Sequence, residues 1–177
     1  MSIIVPKAFT KKQCESIISY HSVWPQSQGA IYQDNKINPT IRQCQTYVPK
    51  ENTPDWITSE ISKIIYRENE KFFNFILGGS LELVLLRYDL GGHYETHIDI
   101  GTMESIISKR KISFSLFLND SYEGGTLKFI GLSEPKSNPE TGDMILFPSY
   151  LPHKVEPVTS GVRWSLVGWI LGDKHFI

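Results

Sequence analysis

The apolar positions of this chain change their period once, near Gly78-Gly79. Before that point they recur every three to four residues, the spacing that lines one face of an α-helix. Ile17 and Ile18, with Cys14, make a short stripe that runs to about Tyr20, and Thr10 followed by Gln13 is a capping-box signature at its start. Ile57, Ile61, Ile64, Ile65, Phe72, Phe75 and Ile76 make a longer stripe that buries one face. Thr53 reads as the N-cap of this second helix, Pro54 as its first helical residue and Gly78-Gly79 as its end. Between the helices, residues 25–52 are polar and broken by Pro25, Gly29, Pro39 and Pro49, with one short strand expected from Ile41 to Val48.

After Gly79 the pattern is that of β-structure. Strands are expected at Leu81–Tyr88, His93–Ile100, Ile112–Leu118, Thr126–Ile130, Asp143–Phe147, His153–Val158 and Arg163–Ile170. Gly91-Gly92, Asn119-Asp120, Gly124-Gly125, Pro135, Pro139, Gly142 and Gly161 separate them as turns. Residues 101–111 are polar and lack a strong period, which suits a loop or short helix over one rim. Many short strands at this spacing imply a sandwich, jelly roll or barrel, and the two helices would pack against it. The class is α+β, mostly β.

Composition narrows the function. A chain of 177 residues is long enough for one domain with a sizeable core and short for two. Eighteen Lys and Arg against 19 Asp and Glu leave a formal charge of −1, without the basic excess that grips a phosphate backbone. Nucleic acid is therefore disfavoured as the main partner. Cys14 and Cys44 form no CxxC pair and are too few for a disulfide scaffold, so both read as small buried thiols. No run approaches the length of a membrane span, and the opening stretch is interrupted by Pro6 and Lys7. The expectation is a soluble, cytoplasmic protein.

Chemistry concentrates in the β half. His97 and Asp99 are two residues apart, so in a strand an imidazole and a carboxylate would share one face. Alone, such a pair also reads as a plain hydrogen-bonded surface pair. His153 follows in Phe147-Pro148-Ser149-Tyr150-Leu151-Pro152-His153, where prolines restrict the backbone and aromatics could bury a site. Two His and one carboxylate can hold iron from one side with three positions open, or zinc with a water, and the three residues alone do not choose. Arg163 and Ser165 would project together from a stretch that Trp164, Leu166, Val167, Trp169 and Ile170 make apolar on both faces. An arginine pointed into such surroundings needs an anion held against it. Metal ligands beside an Arg–Ser clamp suggest a cosubstrate that chelates the metal and carries a distant carboxylate.

At these residues the sequence resembles the iron(II)- and 2-oxoglutarate-dependent dioxygenases, and looks most similar to the prolyl 4-hydroxylase-like branch that includes PKHD-type hydroxylases of bacteria and phages. The stretches that carry the resemblance are Tyr88-Asp89-Leu90-Gly91-Gly92-His93-Tyr94-Glu95-Thr96-His97-Ile98-Asp99, Ile112-Ser113-Phe114-Ser115-Leu116-Phe117-Leu118-Asn119 and Tyr122-Glu123-Gly124-Gly125-Thr126-Leu127. Gly142-Asp143-Met144-Ile145-Leu146-Phe147-Pro148-Ser149, His153-Lys154-Val155-Glu156-Pro157-Val158 and Gly161-Val162-Arg163 through Trp169 complete it, and residues up to Gly79 match less sharply. The resemblance implies a double-stranded β-helix (jelly roll) flanked by N-terminal helices. Residues 1–177 would be one oxygenase domain, with 1–79 as helical support and variable loop and 80–177 as the jelly-roll core.

By the same resemblance His97, Asp99 and His153 are the iron ligands and catalytic residues. Arg163 pairs with the remote carboxylate of 2-oxoglutarate, Ser165 assists it, Tyr88 bonds the cosubstrate and Tyr94 lies beside the same pocket. The cofactors implied are Fe(II), 2-oxoglutarate and O2, with ascorbate as a stimulant. The implied activity is hydroxylation of a prolyl or other amino-acid residue of a peptide or protein through an iron(IV)-oxo oxidant, releasing succinate and CO2. A free amino acid or small metabolite as substrate, and a metal-binding jelly roll without turnover, are the alternatives. One departure is visible: several animal prolyl hydroxylases place a tyrosine where this chain has Phe117 or its neighbours, so a second hydroxyl to the remote carboxylate is missing. His93 reads as solvent-facing in a Gly-rich turn, and His21 and His175 as structural or exposed. Arg110 and Lys111 read as solvated charges or as lining for the entrance, and Glu95 and Glu104 as surface acids.

Overall fold

A computed structural model describes residues 1–29, 38–49, 53–101, 106–132 and 139–173. In chain order the elements are β1 (Ile3–Val5), α1 (Lys11–Ser19), β2 (Gln26–Gln28), β3 (Arg42–Gln43), β4 (Gln45–Tyr47), α2 (Asp55–Glu68), β5 (Leu81–Tyr88), β6 (His93–His97), β7 (Arg110–Phe117), β8 (Tyr122–Gly124), β9 (Leu127–Phe129), β10 (Met144–Pro148), β11 (His153–Val155), β12 (Val158–Gly161) and β13 (Arg163–Leu171). Seven strands form one antiparallel sheet in the order β1-β10-β7-β13-β5-β4-β2, and four form a second in the order β3-β6-β11-β9. β8 and β12 make a separate ribbon.

The larger sheet is buried on both faces, which is why β10 reads as a continuous apolar run and not as an alternation. One face carries Leu85, Phe114, Leu116 and Leu166 against Ile17 of α1 and Ile57, Ile61 and Ile65 of α2. The other carries Leu86, Phe117, Ile145 and Phe147 against Leu127 and Val155 of the smaller sheet. Neighbours such as Leu85 and Leu86 serve opposite cores because successive side chains of a strand point to opposite faces. Among the described residues no helix is long and apolar enough to cross a membrane.

The first helix follows its sequence signature: Gln13 N–H donates to Thr10 Oγ1 at 3.3 Å and Thr10 N–H to Gln13 Oε1 at 2.9 Å. The second departs from it at both ends. Pro54, not Thr53, takes the cap position, with extended backbone at φ −60° and ψ 129°, and the helix starts at Asp55. Proline's fixed φ suits either conformation, so ψ decides where the helix begins. At its far end α2 gives way to a π-helical turn at Asn69–Phe73 and then to left-handed Asn74, well before Gly78. The Asn69 amide fastens this exit by hydrogen bonds to the Phe75 backbone N–H and C=O, both at 2.9 Å. The wider turn puts the apolar stripe out of phase, so Phe72 and Ile76 face solvent.

Other boundaries shift for local reasons. The strand expected over Ile41–Val48 is two strands in different sheets, broken at Cys44. Cys44 is half-buried there, unlike Cys14, which is fully buried. His153–Val158 divides into β11 and β12 around Pro157, which has no N–H to give a ladder. Residues 106–109 form a 3-10 turn and β7 starts at Arg110. The strand expected to run to Ile100 ends at His97.

Candidate active site

Pairing of β6 with β11 brings the two histidines together, since His153 lies directly opposite His97 in the register. Asp99 is not on the strand face with His97; it sits in the bend that follows β6, with its N–H donating to the Ser149 carbonyl at 2.9 Å. That bond ties the bend to the Pro148-Ser149 corner leading into β11. The His97 Nε2 lies 3.7 Å from Asp99 Oδ1, and His153 Nε2 lies 3.6 Å from Asp99 Oδ2. One ligand atom from each residue falls within 4.8 Å of the others.

The tautomers are set by the backbone. His97 Nδ1 is 2.8 Å from the Glu95 carbonyl and His153 Nδ1 is 2.9 Å from the Leu151 carbonyl. Each Nδ1 therefore carries the proton and donates it, leaving both Nε2 lone pairs aimed at one point. Burial pushes His97 down to about 4, with the adjacent His153 adding to the effect, so His97 is neutral near pH 7. Burial alone would raise the Asp99 carboxyl, but the two imidazoles outweigh it and hold it below its ordinary range. Two imidazoles with Nε2 turned inward and a carboxylate that converge from one side fit a divalent metal with open positions opposite.

Arg163 begins β13 beside Tyr88 at the end of β5. It is 1% exposed, yet no carboxylate pairs with it among the described residues. One Nη1–H donates to the Ser165 hydroxyl at 2.9 Å, and Nε–H has no partner. The rings of Tyr88 and Phe117 each lie 5.2 Å from its guanidinium carbon. Burial raises the Tyr88 phenol well above its usual range, so it stays neutral and can donate a hydrogen bond. Gly125, at φ +59°, lets the chain pass this arginine: a Cβ there would stand 2.8 Å from Arg163 Cδ.

A cavity of about 250 Å³ joins these groups, and His97, Asp99, His153, Arg163, Ser165, Tyr88 and Tyr94 all line it. The residues singled out in the sequence are thus gathered in one place. Arg110 also lines the cavity and is not a solvated charge: it pairs with Glu82 at 2.6 Å, covers Trp169 at 3.7 Å and donates to the Asp99 carbonyl at 3.3 Å. Lys111 is buried too. His93 is half-buried rather than solvent-facing, with its ring nitrogens 2.9 Å and 3.3 Å from the carbonyls of Gly91 and Thr40. His21 and Glu95 are exposed, as expected, while His175 and Glu104 lie outside the described residues. Arg42 reaches the cavity from β3, inside the polar stretch whose sequence carries no catalytic signal. Only its two-residue register with Tyr94 and His93 of β6 reveals it.

Residues 83–171 match the model of the 2OG-Fe(II) oxygenase superfamily. The chain belongs to this superfamily. The group's cofactors are Fe(II), 2-oxoglutarate and O2, and the His97–Asp99–His153 set can hold such an iron. A PKHD-type hydroxylase of Thermosynechococcus vestitus is 32% identical over 154 residues, covering 81% of this chain and 68% of that protein. Another, of Gloeothece citriformis, is 41% identical over 91 residues; the match takes in 50% of this chain but only 41% of the relative's length. In structure this oxygenase resembles a Pseudomonas putida prolyl-4-hydroxylase, with a TM-score of 0.77 and 20% identity over 96% of this chain and 92% of that one. It also resembles a Trichoplax adhaerens prolyl hydroxylase solved with a hypoxia-inducible-factor peptide, with a TM-score of 0.79 and 19% identity over 97% and 84%. These likenesses establish the jelly-roll fold.

Proposed function

We propose that residues 1–177 act as one dioxygenase domain that hydroxylates a prolyl or other amino-acid residue of a peptide or protein. In this reading His97, Asp99 and His153 hold Fe(II), and Arg163 with Ser165 grips the remote carboxylate of 2-oxoglutarate. The observation that carries it is the Arg163 cation, buried without an anionic partner among the described residues in the cavity that His97, Asp99 and His153 also line. A buried charge left unpaired is strongly unfavourable, so its partner is an anionic ligand. The peptide preference is supported by the PKHD-type and prolyl hydroxylase relatives, one of which was solved holding a peptide.

Bound iron and cosubstrate supply the oxidising chemistry, with the net change R–H + 2-oxoglutarate + O2 → R–OH + succinate + CO2. The protein's own residues bind and orient. The Glu95 and Leu151 carbonyls fix the two imidazoles with Nε2 inward, and the bond from Asp99 N–H to Ser149 anchors the carboxylate. Arg163 and Ser165 set the depth to which a dicarboxylate enters, and neutral Tyr88 offers a hydroxyl beside them. Phe117, Phe147 and Leu127 keep that end dry, which strengthens each polar contact inside.

The test is anaerobic visible absorption as Fe(II) and then 2-oxoglutarate are added, followed by succinate assay and peptide mass on admitting O2. A charge-transfer band that is absent in His153→Ala and Asp99→Ala, and a 16 Da gain on a proline-containing peptide, are the expected results. A folded wild-type protein with no band would overturn the site. A band with oxygen transfer only to free amino acids would overturn the peptide assignment.

A further inference from the structure

Tyr94 and His97 are three residues apart, which in a regular strand places their side chains on opposite faces. Here they share one face. On β11 His153 and Val155 are two apart, but their partners on β6 are His97 and Tyr94, so one extra residue of β6 is taken up in a bulge at Glu95–Thr96. Bulges re-aim side chains in this way. The Tyr94 ring consequently stacks on the His97 imidazole, with centroids 3.6 Å apart and planes within 17°. The guanidinium carbon of Arg42, from β3, lies 4.5 Å from the Tyr94 centroid.

The two imidazoles are supported unequally. His153 is buried and packed by Phe147 at 4.7 Å and Phe129 at 6.1 Å. His97 is the last residue of β6, between exposed Thr96 and Ile98. The hydrogen bond from its imidazole to the Glu95 carbonyl fixes a distance but leaves the ring plane free to tilt about that bond. A parallel ring against the imidazole removes that freedom. The Tyr94 hydroxyl makes no hydrogen bond among the described residues, so its ring is the part in use.

Resting on the metal site proposed above, we propose that Tyr94, braced by Arg42, is a positioning residue that holds the His97 imidazole in its ligating orientation through its aromatic ring and not its hydroxyl. The ring plane then sets how well Nε2 meets a metal, independently of any contact with 2-oxoglutarate.

The experiment is titration of the metal-free full chain with Co(II), read by visible absorption without cosubstrate. Tyr94→Phe binds Co(II) as wild type does, whereas Tyr94→Leu binds about 10- to 100-fold more weakly. Arg42→Met loses about 2- to 5-fold, the size of an exposed cation–π contact. Thermal melts without metal confirm folding, and Tyr94→Gln replaces Tyr94→Leu should the latter fail to fold. Equal affinity of wild type and the non-aromatic variants would overturn the inference. A loss in Tyr94→Phe as large as in Tyr94→Leu would overturn the role of the ring. Absence of Co(II) binding by wild type would instead remove the metal site itself.

Discussion

At the scale of single residues, Arg163 states most about the ligand. A guanidinium sealed beneath Tyr88 and Phe117, bonded among the described residues only to Ser165, costs the ligand-free protein stability. Arg163→Met is therefore expected to leave the melting temperature of the ligand-free protein unchanged or raised. The same variant weakens 2-oxoglutarate by about 30-fold or more, matching the 2 kcal/mol or more that truncating one partner of a buried charge pair costs. Fe(II) affinity stays at the wild-type value. Differential scanning and the anaerobic titration check both halves, and undiminished cosubstrate affinity would remove Arg163 from the clamp. Phe117 presents a ring without a hydroxyl to the guanidinium, while Ser165, Ser115, Tyr88 and Tyr94 bring hydroxyl groups to the cavity lining. These residues were legible in the sequence because an arginine in an apolar strand is chemically conspicuous. Arg42 was not, because its role depends on a two-residue pairing with β6.

At the scale of elements, β13 is the strand on which the larger sheet is organised, pairing with β5 on one side and β7 on the other. It presents Arg163 and Ser165 to the cavity at one end and Val167 and Trp169 further along. Gly168 between them lies where three strands close up: a Cβ would stand 2.2 Å from the Glu82 carbonyl oxygen and 2.7 Å from the Phe114 ring. Gly168→Ala must move backbone, so it is expected to destabilise by roughly 1–3 kcal/mol, the range for overpacked interiors. Chemical denaturation measures this, and a variant as stable as wild type would show that β5 can yield. The β6 bulge is the contrasting case. Period-2 reasoning found the strand and expected His97 and Asp99 on one strand face; the structure brings the two side chains together, but for a different geometric reason. Asp99 reaches His97 from a bend, and Tyr94 reaches it across an extra residue.

At the scale of the whole molecule, the site joins segments that the chain keeps far apart. The end of β6 with the bend at Asp99 and the start of β11 are distant in the chain but paired neighbours in the smaller sheet, so a bound metal would cross-link them. A ligand that binds only the folded state at 100 times its dissociation constant adds about 2.7 kcal/mol. For a chain of this size that is about 5–10 °C in melting temperature. Adding Co(II) to chelator-treated protein should produce this rise, and chelator should reverse it. No shift in wild type, or the same shift in His153→Ala, would place the metal elsewhere.

The sequence by itself determined the fold class and the chemistry of the site. Apolar periods of 3.6 and then 2 specify helices followed by strands. His97, Asp99, His153, Arg163 and Ser165 are few enough in kind and close enough to family-like motifs to be singled out one by one. Helix starts were partly legible, since the Thr10–Gln13 box is a local hydrogen-bonded device, whereas Pro54 took the cap because ψ is set by how α2 packs. Tertiary structure alone decided the rest. Registers between strands set which residues meet, and a bulge of one residue inverts every face beyond it. Hence the stacking of Tyr94 on His97, the approach of Arg42 and the tie from Asp99 to Ser149 became visible only once the two sheets were paired and closed on each other.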